Sequence, residues 1–222
     1  GSSPNNASGS CFITGASTGL GRAFAEMLLH DGVRVWGTSR EISRLSDITR
    51  AYPDDFTPVA LDLRYEGTAA ATFAAADREA GGFDVVINNA GFGVFAEFEA
   101  LDFSAFRDQV EVMLLQPARL SHQALRGMRT RGRGALVNIS SLAAEFPLPF
   151  QSAYNVAKSG LSALNESLMI ETAGTGVIVL DVRPGDYRTD FDRSMQRPGA
   201  GANARLARAW AAFVVMMESG PP

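Results

Sequence analysis

Residues 10–32 read "SCFITGASTGLGRAFAEMLLHDG", and the order of residue types in this stretch decides the fold. A short apolar run, "SCFITGA", has the length and composition of a buried strand, and "GRAFAEMLLHDG" carries apolar residues at helical spacing. At their junction stand Gly15, Gly19 and Gly21. Glycines so placed allow a tight turn, a close approach of backbone to a ligand, and close packing of helix on strand. The helix that follows presents unpaired N–H groups, which favour phosphate. An ordinary glycine-rich turn would look similar in isolation; its position directly between a strand and a helix makes it a nucleotide-site candidate.

Working outward, the same alternation repeats: "RVWGTSR" then "SRLSDITRAY", "TPVALDL" then "AAATFAAADREAGG", "FDVVINNAG" then a long helical segment from Ser104 to Met128. "GALVNISS", "AYNVAKSGLSALNESLMIET", "VIVLDVRPG" and "ARLARAWAAFVVMMES" complete the series. Strands apolar at nearly every position and separated by helices predict an α/β fold. The expected form is a Rossmann-like, doubly wound parallel sheet of six or seven strands with helices on both faces. Ligands of such sheets bind beyond the carboxyl ends of the strands, so chemistry is sought there. Pro117 lies inside the long fourth helix and should kink it or remove one of its hydrogen bonds.

Composition narrows the function. The length of 222 residues fits one domain, expected over 10–222, with 1–9 a disordered leader or tag remnant. A net charge of −4 opposes a nucleic-acid surface, and the one basic run, "RGMRTRGRG", is short and broken by glycine. One cysteine, Cys11, and two distant histidines, His30 and His122, give neither a disulfide framework nor metal-ligand spacing. No stretch has the apolar length of a membrane span. The expectation is a cytoplasmic protein with no nucleic-acid, membrane or metal partner.

Three motifs in order, "TGASTGLG" at 14–21, "NNAG" at 88–91 and "YNVAK" at 154–158, together resemble the short-chain dehydrogenases/reductases over roughly Ser10 to Asp190. The resemblance implies hydride transfer between a nicotinamide cofactor and a carbonyl or alcohol. It makes Tyr154 the acid/base and Ser141, thirteen residues earlier, the group that hydrogen-bonds the reacting oxygen; turn capping is the plainer role for that serine. It also implies that Gly15, Ser17, Thr18, Gly19, Leu20, Asn89, Ala90 and Gly91 line the cofactor, with Asn88 and Asn89 bracing the sheet. Asp62, with Leu63 beside it, would meet the adenine, a helix cap being the alternative role for Asp62. In "RPGDYRTDF", Pro184 and Gly185 would approach the nicotinamide and Thr189 its carboxamide.

Lys158 is the sole lysine; every other cationic side chain is arginine. A compact ammonium suits a tight site better than a planar fork, and Tyr and Lys four apart share a helix face. Lowering a tyrosine from about 10 to about 7 takes roughly 4 kcal/mol, which one cation about 4 Å away supplies at an effective dielectric near 20. By resemblance the same ammonium binds the nicotinamide ribose. The second strand ends in Ser39 and Arg40 where NAD-using relatives carry an acid, so NADP(H) is favoured over NAD(H). Thr18 stands where many NADP-using relatives place a basic residue.

Two departures from the family pattern stand out. Met113 occupies the place of an asparagine that completes the family's proton relay, leaving that relay to the main chain, to Gln109 or to Gln116, or leaving Met113 simply as core. The sequence also ends at "GPP", where the resemblance implies a further helix and strand, so the sheet is expected either to have six strands or to be completed by residues outside this sequence. The expected function is an NADP(H)-dependent interconversion of carbonyl and alcohol. The alternative is a nucleotide-binding regulatory or scaffold protein with lost turnover; an epimerase or dehydratase is disfavoured by the glycine spacing. "GFGVFAEFEAL", "LAAEFPLPFQ" and the loop from Tyr187 to about Ala204 are the expected substrate walls, pointing to a mostly apolar small molecule. Resemblance implies a homodimer or homotetramer, with which Leu161, Leu164 and Leu168 are compatible.

Overall fold

A computed structural model describes residues 9–185 and 203–218. Its sheet runs through β1 (Ser10–Ile13), β2 (Arg34–Ser39), β3 (Phe56–Ala60), β4 (Val85–Asn88), β5 (Gly134–Ile139) and β6 (Val177–Val182). The spatial order is β3-β2-β1-β4-β5-β6 and every pairing is parallel. The helices are α1 (Gly19–His30), α2 (Ser46–Ala51), α3 (Glu66–Ala80), α4 (Phe103–Val110), α5 (Gln116–Arg131), α6 (Ser152–Thr172) and α7 (Ala204–Glu218). The expected doubly wound sheet is therefore present, with six strands among the described residues.

Strand residues alternate between two cores because successive side chains point to opposite faces. Phe12, Val86 and Leu136 pack with α3, α5 and α6 on one face, where Phe12 meets Phe73 edge to face at 5.0 Å between ring centroids. Cys11, Ile13 and Val35 pack with α1 and α2 on the other. β1 is buried at all four positions, which explains the absence of polar alternation in its sequence. The order reverses between β1 and β4, so the crevice at their carboxyl ends is the topological switch point.

The long fourth helix is continuous from Phe103 to Arg131 but changes pitch: a π-helical turn spans Glu111–Leu115 and Pro117 follows in the first turn of α5. Proline has no N–H to return to the preceding turn, and the wider π turn just before it accommodates that loss without breaking the helix. α7 docks through a separate aromatic cluster in which Trp210 and Phe213 meet Phe95 at 5.0 and 5.6 Å. No helix among the described residues is long and apolar enough to cross a membrane.

Candidate active site

A cleft of ≈ 1290 Å³ opens at the carboxyl ends of β1, β2, β3, β4 and β5. It exceeds the about 300–1,000 Å³ of an ordinary small-ligand pocket. One end is built from the β1–α1 turn. Gly15 N–H donates to Thr38 Oγ1 at 3.1 Å, and Asn89 Nδ2 donates to the carbonyls of Thr14 and Gly15 at 3.2 and 3.1 Å. Thr14 Oγ1 accepts from the N–H groups of Asn89 and Ala90 at 2.9 and 3.1 Å. These bonds fasten the two expected cofactor loops to one another.

Gly19 sits at φ +57° with open space where a side chain would project, and Thr18 makes no side-chain cap to α1. The helix end thus faces the cleft unobstructed, as an anionic ligand requires. At Gly21 a Cβ would lie 2.2 Å from the Gly15 carbonyl oxygen and 2.3 Å from Asn89 Nδ2. Only glycine allows α1 to approach the turn this closely. The cradle, the unobstructed helix end and the cleft volume fit a dinucleotide.

Ser17, Thr18, Leu20, Ser39, Arg40, Asp62 and Leu63 line the same cleft. Arg44 and Arg64, which the sequence reading did not single out, join Arg40 there, with Glu41. The Asp62 carboxylate is gripped by Arg64, whose Nη2 lies 2.6 Å from Oδ2, and it accepts from the Arg64 backbone N–H at 3.0 Å. Those hydrogen bonds hold its carboxyl below the usual range. Asp62 makes a turn here and does not cap α3, whose N-terminal flanking residue is Tyr65.

The other end holds Ser141, Tyr154 and Lys158, all lining the cleft with Ala90, Gly91, Pro184 and Gly185. Thr189, Asp186 and Tyr187 lie outside the described residues. Ser141 caps the turn Leu142–Ala144 by accepting from Ala143 N–H at 3.1 Å, and its side chain also hydrogen-bonds Tyr154. The turn-capping role offered by the sequence is present, and the same hydroxyl lies against Tyr154. The loop after Ser141 is clamped by the start of α6: Ser159 Oγ donates to the Ala144 carbonyl at 3.1 Å and Asn155 brackets Leu148 through both amide atoms at 2.7 and 3.2 Å.

Lys158 is buried at 5% exposure and donates from Nζ to the Ile139 carbonyl at 2.7 Å, with Nζ 5.8 Å from the Tyr154 ring centroid. Burial lowers its ammonium to about 8, opposed by the charge of Asp181. Burial raises the Tyr154 phenol, and the Ser141 hydrogen bond opposes that rise. The sequence arithmetic, which brought Tyr154 to about 7 through Lys158 alone, is corrected on this point. Desolvation of the phenol outweighs the hydrogen bond, and the ammonium is engaged by a backbone carbonyl.

Met113 is fully buried in the main core. A Cβ on Gly91 would lie 3.1 Å from its sulfur and 4.0 Å from Lys158 Nζ, so Met113 packs against the backbone beside the lysine. Gln109 and Gln116 are buried, at 1% and 0% exposure, and neither is among the residues lining the cleft. Gln116 Nε2 donates to Glu111 at 2.6 Å. The described part of the apolar wall comprises Phe92, Leu142, Phe146, Leu148 and Phe213, with Asp102 and Asp108 at its edge. Leu161 is core, whereas Leu164 and Leu168 line a shallow groove between α5 and α6.

The short chain dehydrogenase model matches residues 10–198 of the chain. A 3-oxoacyl-[acyl-carrier-protein] reductase of Vibrio cholerae is 32% identical over 82% of the chain and 75% of that protein. A crystal structure of a short-chain dehydrogenase from Streptomyces avermitilis superposes with a TM-score of 0.88 at 34% identity, over 97% of the chain and 79% of its own. A metagenomic short-chain oxidoreductase in complex with NADP superposes at 0.75 with 26% identity, over 94% of the chain and 90% of its own.

Proposed function

The chain belongs to the short-chain dehydrogenase family and is an NAD(P)-dependent oxidoreductase, and from that premise we propose that it interconverts a mostly apolar ketone or aldehyde with its alcohol, using NADP(H). The observation that carries this reading is the convergence of Ser141, Tyr154 and Lys158 on the wall of the cleft whose far end is the β1–α1 turn. When bound, the dinucleotide supplies or accepts the hydride. Tyr154 gives its proton to the carbonyl oxygen during reduction and takes it back in the reverse direction. Ser141 donates to that same oxygen and orients it. Lys158, held to the Ile139 carbonyl, places a positive charge beside the phenol that favours its ionised form.

Gly15, Ser17, Thr18, Gly19 and Leu20 would receive the phosphates, Asn89, Ala90 and Gly91 the nicotinamide side, and Asp62 and Leu63 the adenine. Pro184 and Gly185 would flank the nicotinamide, with Thr189 beyond the described residues. Preference for NADP(H) is supported by Ser39 in place of an acid and by Arg40, Arg44 and Arg64 around one wall of the cleft, with Asp62 already engaged by Arg64. The apolar wall and the similarity to a 3-oxoacyl reductase support a carbonyl on an acyl or aromatic chain. A cytoplasmic homodimer or homotetramer completes the proposal, the groove between α5 and α6 supporting pairing of copies.

Absorbance of NADPH over a panel of aromatic ketones, aldehydes and 3-oxoacyl thioesters tests the reading, with NADH and Tyr154→Phe alongside. Consumption that prefers NADPH and falls at least about 100-fold in Tyr154→Phe is expected. Tight NADPH binding without turnover on any carbonyl would favour a nucleotide-binding regulatory protein. The observation behind that second reading is Met113, which packs beside Lys158 with no polar side-chain atom to hold a relay.

A further inference from the structure

We propose that Asp181 is a positioning residue of this reaction: its buried carboxylate fixes the end of β5 that bears Ser141 and the Ile139 carbonyl, and it is the counter-charge of Lys158, with Arg183 governing how much of that charge acts there. The role in turnover rests on the function proposed above; the coupling of charges does not.

Asp181 stands in β6 opposite Asn138 of β5, and its side chain is 4% exposed. A carboxylate in an otherwise apolar strand is costly to bury unless it is fully hydrogen-bonded. Here Oδ1 accepts from Ser140 Oγ at 2.5 Å and Asn165 Nδ2 at 2.9 Å, while Oδ2 accepts from Ser162 Oγ at 2.8 Å and Arg183 Nε at 2.7 Å. Burial pushes the Asp181 carboxyl up, but the hydrogen bonds prevail and hold it below its ordinary range. The group is a fixed anion.

Its donors lead directly to the catalytic wall. Ser140 lies between Ile139, whose carbonyl takes the lysine ammonium, and Ser141. Ser140 is tied to β6 by its hydroxyl and by its N–H, which donates to the Val182 carbonyl at 2.9 Å. On α6, Lys158, Ser162 and Asn165 follow at i, i+4 and i+7, so they share one face, and the last two grip the same carboxylate. Serine, lysine carbonyl partner and lysine helix are therefore all anchored on Asp181.

The electrostatics run in the same direction. A buried amine tends to lose its proton, and burial brings Lys158 to about 8 even with Asp181 opposing. The other groups around the lysine do not replace that charge. Its own helix presents Tyr154; the π turn and the β4 loop present Met113 and Gly91, both uncharged; β5 presents a carbonyl. Asp102 and Asp108 line the cleft from the start and body of α4. Arg183 partly neutralises Asp181 but divides its own charge with Glu166 at 3.0 Å and with Glu145.

The sole lysine makes the test direct. Protein grown on lysine carrying ¹³C at Cε yields one lysine side-chain resonance, and its pH titration reads Lys158 without any turnover assay. The native midpoint is expected near 8. Asp181→Asn, which removes the charge and keeps the shape, should lower it by about one pH unit. Arg183→Gln, which unmasks the carboxylate, should raise it. Asn165→Ala deletes one neutral donor and should leave it in place, whereas simple loosening of the site would hydrate the ammonium and raise it. An unmoved midpoint in Asp181→Asn, or an equal rise in Asn165→Ala and Arg183→Gln, overturns the proposal. If Asp181→Asn does not fold, the last two variants decide it. The alkaline limb of kcat/KM should move in the same order. Midpoints that shift as expected without a matching limb would uphold the coupling and reject the function assigned to Lys158.

Discussion

Lys158 illustrates how one atom's surroundings decide whether a substitution is conservative. With its ammonium held to the Ile139 carbonyl and close to Gly91, the larger guanidinium cannot take the same place without displacing its neighbours or swinging into the cleft. Lys158→Arg is expected to reduce kcat/KM at least about 100-fold while costing about 1–3 kcal/mol of stability through overpacking, so that the variant stays folded by circular dichroism. That Tyr154, Lys158 and Ser141 would share one wall of the cleft was legible in the sequence, the first two through helical spacing and the serine through the family resemblance. Asp181 was not, since a single acid in a strand announces nothing until the end of the neighbouring strand, α6 and its own near neighbour Arg183 are seen to supply its four donors. Arg64 was hidden for a similar reason: its relation to Asp62 depends on a turn.

At the scale of elements, the β1–α1 unit is the one whose geometry leaves least freedom. Gly21→Ala would drive a methyl into the Gly15 carbonyl and the Asn89 amide, both of which belong to the cofactor cradle. The variant is expected to lose about 1–3 kcal/mol, seen as a lowered urea midpoint, and to bind NADPH at least about tenfold more weakly by fluorescence titration. Strand and helix identities were readable from apolar runs and helical periodicity, and Pro117 signalled a disturbance in the fourth helix. That the disturbance is a π turn at Glu111–Leu115 was not readable. Proline announces only a missing N–H; the form the helix takes is seen in the fold, where the π turn packs with α6 and Met113 is buried.

For the molecule as a whole, a chain of buried amides runs from β4 through β5 and α6 to the acid of β6. Asn88 Nδ2 donates to Asn138 Oδ1 at 2.7 Å, and Asn138 Nδ2 donates to Asn165 Oδ1 at 2.6 Å, which in turn reaches Asp181. Asn138→Leu would leave the buried Asn165 Oδ1 without its donor and take from Asn88 its shortest hydrogen bond, and the expected cost is about 3 kcal/mol. Thermal unfolding should register a fall of about 6–12 °C. The doubly wound class was legible because every strand is apolar on both sides; this polar spine was not, because its members lie on four separate elements.

The strand order carries a consequence for synthesis on the ribosome. β1 pairs on one side with β2, which follows it closely, and on the other with β4, whose Val86 meets Phe12. Once β2 has emerged, roughly 50 more residues must be translated before β4 can cover the open side of β1, about 2–10 s at ordinary elongation rates. Throughout that interval the nascent chain displays the unpaired edge of a strand that is buried at every position in the folded protein, the kind of surface that templates aggregation. The central strand of the finished enzyme is thus the exposed margin of the half-made one until β4 has left the exit tunnel.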